Sequence, residues 1–161
     1  MKEPENQLNE SIFPKGDLAS ADYFTGKAWV KMLVPNDPVL HTAVGNVVFE
    51  AKARNNWHTH PGGQILIVTQ GTGYYQEVGK PIQLIKEGDV VNIQPEIKHW
   101  HGASPDGEFT HIAISTNTEK GIVDWLEPVT DEQYNSFKQL KKKCCSSLTN
   151  KLQGIVRSFL N

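Results

Sequence analysis

The chain of 161 residues has two cysteines, and they are neighbours, Cys144 and Cys145. Adjacent cysteines rarely close a useful bridge, so disulfides are not expected to hold this fold together. No apolar run approaches the roughly 20 residues that a membrane-crossing helix needs. The opening MKEPENQLNE has no basic stretch leading into an apolar core, so no secretory signal is read and a cytoplasmic location is expected. Acid is missing from residues 133–161, which carry Lys138, Lys141, Lys142, Lys143, Lys151 and Arg157. All 18 acidic residues therefore lie in residues 1–132, beside only 10 Lys and Arg. A body with that excess of negative charge repels phosphates, so nucleic acid is not an expected partner.

What remains is an ordinary globular composition, 38% hydrophobic and 21% charged, sufficient for one core. Residues 1–20 read as a polar arm broken by Pro4, Pro14 and Gly16. From Trp29 to Thr116 short strand-like runs alternate with turn signals. The candidate strands are Trp29–Val34, Thr42–Ala51, Gln64–Gln70, Gly73–Val78, Pro81–Ile85, Val90–Gln94 and Thr110–Thr116. Gly71, Gly73, Gly79, Glu87-Gly88-Asp89 and Pro105-Asp106-Gly107 punctuate them. Many short strands at this spacing predict an all-β sandwich or barrel, residues 21–134. Residues 135–161 form a basic tail. Helices are expected at Asp131–Lys143 and Ser147–Leu160, the second from the spacing of Leu148, Leu152, Ile155 and Phe159. Its basic run suits an anionic membrane surface or a partner, but a dispensable extension is the favoured reading.

Five of six histidines fall between residues 58 and 111. Alternate residues of a strand share a face, so His58 projects with His60, and His99 with His101, leaving Trp100 on the other side. Two such strands in a barrel bring His58, His60 and His99 around one interior point. Imidazole there suits a divalent transition metal. His111 shares a face with Ala113 and Ser115, opposite Ile112 and Ile114. His41 reads as a surface residue. Trp29, Trp57, Trp100 and Trp125 read as packing residues, and Val47, Phe49 and Ile93 as candidates for shaping a pocket.

The motifs resemble the cupin superfamily of small β-barrels, in the double-stranded β-helix or jelly-roll form. His58, His60, Gln64 and Gly71 match the spacing of its first motif, with Gln64 where Glu usually stands. Gly88-Asp89, Pro95 and His99 match the second, with a shortened gap between Pro and His. Lys52 replaces the glycine usual at the start of the first motif. The strings WHTHPGGQILIVTQGTG, EGDVV, KHWHGA and DWLEPVTDEQY are similar to bacterial cupins of the hydroxynitrile lyase type, and to cupins associated with carboxymuconolactone decarboxylase-like domains. The resemblance implies a metal, manganese before Fe, Zn or Ni, on His58, His60, Gln64 and His99. It implies a general base at His111, with His101 as its helper or a substrate contact; hydrogen bonding that only orients the metal ligands is the alternative for both, as well supported for His101 as the functional role. It implies lyase chemistry at a carbon–carbon bond between a carbonyl carbon and cyanide. An oxidative manganese cupin and a non-catalytic ligand-binding module are the alternatives. A homodimer or homotetramer is expected, with Ala21–Val34 contributing to its contacts.

Overall fold

The computed structural model describes residues 11–137. The chain divides into two units, Met1–Val129 and Thr130–Asn161. Among the described residues the first holds twelve strands: β1 Asp17–Leu18, β2 Phe24–Thr25, β3 Ala28–Asp37, β4 Thr42–Phe49, β5 Arg54–Asn55, β6 His58–Thr59, β7 Gln64–Glu77, β8 Gln83–Lys86, β9 Val90–Ile93, β10 His99–Ala103, β11 Phe109–Thr116 and β12 Asp124–Trp125. Neighbours run β1-β3-β4-β11-β7-β10-β5-β2, with β8 and β9 on β7, β6 on β10, and β12 on β6. Every pairing is antiparallel.

β7 organises this curled sheet. The sequence suggests two strands with a turn at Gly71–Gly73, but the chain runs through as one strand of 14 residues. Its first half lies between β11 and β9, and its second half between β10 and β8. One strand thereby serves both halves of the fold. Gly71 makes the passage: its φ is +74°, and a Cβ there would stand 2.1 Å from the Glu108 carbonyl oxygen. The glycine marks a bend within a strand rather than the end of one.

Alternating residues of the strands fill the core, which includes Phe49, Leu66, Val68, Tyr75, Ile85, Ile93 and Phe109. Trp57 and Trp100 are buried as expected, and the Trp100 indole N–H donates to Gln76 Oε1 at 2.8 Å. His41 is exposed, 3.6 Å from Glu119. The polar arm is partly built into the sheet, because β1 pairs with β3.

In the second unit, residues 131–137 are helical. Thr130 and Gln133 close a reciprocal cap: Gln133 N–H donates to Thr130 Oγ1 at 3.1 Å, and Thr130 N–H donates to Gln133 Oε1 at 2.9 Å. The rest of the expected Asp131–Lys143 helix, the Ser147–Leu160 helix, the basic run and the cysteine pair lie outside the described residues.

Candidate metal centre and its cavity

His58 begins β6, His99 begins β10, and the two are direct cross-strand partners. Their ring centroids are 4.2 Å apart. His60 follows β6, where Pro61-Gly62-Gly63 turns the chain into β7 and delivers Gln64 as its first residue. The turn is tight: a Cβ on Gly62 would fall 1.9 Å from the Thr116 carbonyl oxygen. One nitrogen from each of His58, His60 and His99 lies within 4.8 Å of the others, and all three side chains are buried.

The protons on these rings are placed by the backbone. Nδ1 of His58 donates to the Asn56 carbonyl at 2.9 Å, and Nδ1 of His99 to that of Ile97 at 2.8 Å. Nδ1 of His60 donates to the Ile122 carbonyl at 2.5 Å. A neutral imidazole with its proton on Nδ1 has its lone pair on Nε2. Burial holds all three neutral. It pulls His58 well below the ordinary histidine range, with His99 and His60 adding to the effect. It lowers His60, and it takes His99 to about 4.

These residues fit a divalent transition metal on two further observations. His60 Nε2 is buried without a hydrogen-bond partner. Gln64 Oε1 lies 3.4 Å from His99 Nε2, so two lone-pair acceptors face each other. A cation between them would draw both. The donor set is three imidazole nitrogens and one amide oxygen, all uncharged.

The cluster opens on a cavity of about 140 Å³. His58, His60, Gln64, His101 and Asn55 form its polar wall, and Phe24, Val30, Val47, Ala113, Val123 and Trp125 its apolar wall. Trp125, expected as a packing residue, lines the cavity and stacks on Tyr23 at 4.8 Å. Val47 lines the cavity as anticipated, whereas Phe49 and Ile93 belong to the core behind it. Phe24 and Val30, within the segment expected to serve assembly, also line this cavity.

His101 and His111 form a hydrogen-bonded pair, His101 Nδ1 to His111 Nε2 at 3.1 Å. His101 is on the cavity wall and His111 is not. His111 is the residue expected to act directly; His101 lines the cavity, and His111 lies next to it along their hydrogen bond. Burial pulls His101 well below the ordinary range, with His111 and then His58 contributing further. Burial likewise takes His111 to about 4, against the carbonyls of Val47 and of His111 itself. His111 Nδ1 is buried without a hydrogen-bond partner. The 3.1 Å contact needs one N–H and one lone pair; the Asn55 amide nitrogen, a donor 3.0 Å from His101 Nε2, favours the lone pair there, so that His101 Nδ1–H donates to His111 Nε2.

Three features of the site are not evident from the sequence: Asn55, the Ile122 carbonyl, and the place of Val123 and Trp125, just before and within β12, on the cavity wall. β12 pairs with β6, Trp125 opposite His58.

Residues 45–114 match the family described as Cupin domain. The chain is 50% identical over 115 residues to an (R)-mandelonitrile lyase of Granulicella tundricola, spanning 71% of this chain and 87% of that protein. The chain belongs to the cupin superfamily. Among solved structures, a cupin-like protein from Thermotoga maritima is 55% identical with a TM-score of 0.77, covering 79% of this chain and 96% of that one. A DMSP lyase from Ruegeria pomeroyi, 18% identical with a TM-score of 0.56 over 75% of this chain and 62% of that one, shares the fold alone. The fold expected from the histidine motifs is thus the fold found, and this cupin stands near the hydroxynitrile lyase-like members.

Proposed function

We propose that this cupin is a metal-dependent lyase that cleaves or forms the bond between a carbonyl carbon and cyanide. The observation that carries the reading is the junction of two histidine sets. His58, His60 and His99 converge with their Nε2 lone pairs beside Gln64, and His101 stands on the wall of the same cavity. The 50% identity to a mandelonitrile lyase supports it.

In this proposal His58, His60, Gln64 and His99 hold a divalent transition metal, manganese by resemblance. With uncharged ligands, a bound dication supplies undiminished positive charge for a developing alkoxide or an anion. The chain's own residues handle the proton. When a cyanohydrin is cleaved, its hydroxyl proton passes to His101 Nε2, and the carbon–carbon bond breaks with its electron pair leaving on cyanide. As Nε2 gains a proton, the Nδ1 proton can move toward His111 Nε2, 3.1 Å away, so the cavity wall need not carry a full charge. Return of the proton to cyanide completes the cycle. The apolar wall of Phe24, Val30, Val47, Val123 and Trp125 suits the organic part of the substrate, and a cavity of about 140 Å³ matches one small ring in scale, since an engineered cavity of ~150 Å³ binds benzene.

The test is metal analysis of the purified protein followed by turnover of mandelonitrile before and after chelation. One divalent transition metal per chain and turnover abolished by chelation are expected. Metal-loaded protein that leaves mandelonitrile and related cyanohydrins untouched would sink the lyase reading.

A further inference from the structure

Asn55 is 2% exposed, yet it lies on the cavity wall beside His101. It ends the two-residue strand β5, which pairs with β10 only through Arg54 and Gly102. The backbone N–H of His101 is satisfied by a side chain: it donates to Asn55 Oδ1 at 2.9 Å. That bond fixes the amide's orientation, because only the oxygen can accept it. Asn55 Nδ2 must then face the His101 ring.

Where it faces the ring is decided by two distances. Nδ2 is 3.0 Å from His101 Nε2 and 3.4 Å from His101 Nδ1. The two ring nitrogens flank one carbon. An atom that is nearly equidistant from both, and does not collide with that carbon, lies over the ring face. The amide thus covers the imidazole and leaves the in-plane lone pair of Nε2 open. At the ring's edge, Nδ1 is engaged by His111. On its other flanks the ring meets Phe49 edge-on at 5.8 Å and His58 at 5.5 Å.

We propose that Asn55 is the positioning residue of His101, gripping the backbone through Oδ1 and the ring face through Nδ2 so that Nδ1 stays on His111 and the Nε2 lone pair stays available. A ring turned by half a revolution would exchange Nδ1 for a carbon and break the pair with His111. Asn55 prevents that turn without spending the lone pair the chemistry needs. The role rests on the lyase reading for its catalytic meaning, while its geometric content stands apart from any activity.

The test compares Asn55→Ala and Asn55→Asp with the unmodified full chain, all loaded with zinc as a diamagnetic ion. Asn55→Asp retains the shape and the acceptor for the His101 N–H but removes the donor over the ring. The direct readout is the long-range proton–nitrogen NMR pattern of His101, with metal content measured in parallel. The unmodified protein should show one His101 ring species, protonated at Nδ1 and not at Nε2. Both variants should keep their metal and lose that single pattern. In the natively loaded enzyme, kcat should fall roughly 10–100-fold with KM little changed, by analogy with the loss when the partner that orients a metal-ligating histidine is removed. If Asn55→Ala fails to fold, Asn55→Asp decides alone. An unaltered His101 pattern in Asn55→Asp, with kcat unaltered, would mean that Asn55 only satisfies the backbone, and the proposal falls. Absence of cyanohydrin turnover in the unmodified protein sinks the lyase reading instead, and the His101 pattern still decides the positioning role.

Discussion

A histidine can offer a lone pair in a fixed direction only if its other nitrogen has a defined place for its proton. In this cupin three backbone carbonyls, those of Asn56, Ile122 and Ile97, perform that service for His58, His60 and His99. His60→Ala should therefore remove most of the metal, read by elemental analysis of purified protein; full occupancy in that variant would dismiss the proposed ligand set. His101→Ala should retain the metal and lose ~100-fold or more in cyanohydrin cleavage, the usual scale for a general base. His111→Ala should also retain the metal, with a smaller loss, because His111 reaches the cavity only through His101. Equal activity in the His101 variant and the unmodified enzyme would place the base elsewhere. At this scale much was legible in the sequence. The parity of His-x-His put His58 with His60, and His99 with His101, on inward faces, because a strand's side-chain period is local. Asn55 was hidden for the same reason: the chain bends at Trp57, so parity counted back from His58 puts residue 55 on the wrong face.

Elements were less legible than residues, because two of them depend on partners far along the chain. Gly71 reads as a turn until Glu108 and Phe109 are beside it; β11 is what keeps β7 running as one strand. Gly71→Ala tests this. The added methyl meets the Glu108 carbonyl, and the left-handed φ adds strain, so a loss of about 1–3 kcal/mol or more is expected from urea denaturation. A variant as stable as the unmodified protein would show that the bend tolerates a side chain. The second element is the segment from Gly121 to Glu127. It gives His60 its carbonyl from Ile122, pairs Trp125 with His58, and bonds Trp57 through the Leu126 N–H and the Glu127 carbonyl. Nothing in the local pattern of DWLEP marks it as a wall of the cavity. Its role comes from docking against β6, more than sixty residues earlier.

At the scale of the whole molecule, the five clustered histidines tie stability to pH. Burial is the first cause of the lowered proton affinity of His58, His60, His99, His101 and His111. In the unfolded chain each titrates near ~6.5. Below that pH the unfolded state binds protons that the native state refuses until much lower, about 4 for His99 and His111. The unfolded state then binds more protons, so native stability must fall as pH falls from ~6.5 toward 4. The carboxyls of Asp37, Glu77 and Glu127 are also held below their usual range, so they steepen the loss in the same direction at the acid end. A bound metal would sharpen it further, since its ligands must be unprotonated. Chelator-treated protein should show a urea midpoint that is level above pH 7 and declines through pH 6 and 5. Replacing His101 by Phe, close in bulk and without a titrating group, should flatten the decline by one group's share, whatever it does to activity. A midpoint that holds steady or rises on acidification would mean that these rings accept protons without penalty, and the neutral lone pairs on which both the metal centre and the His101–His111 pair depend would have to be given up.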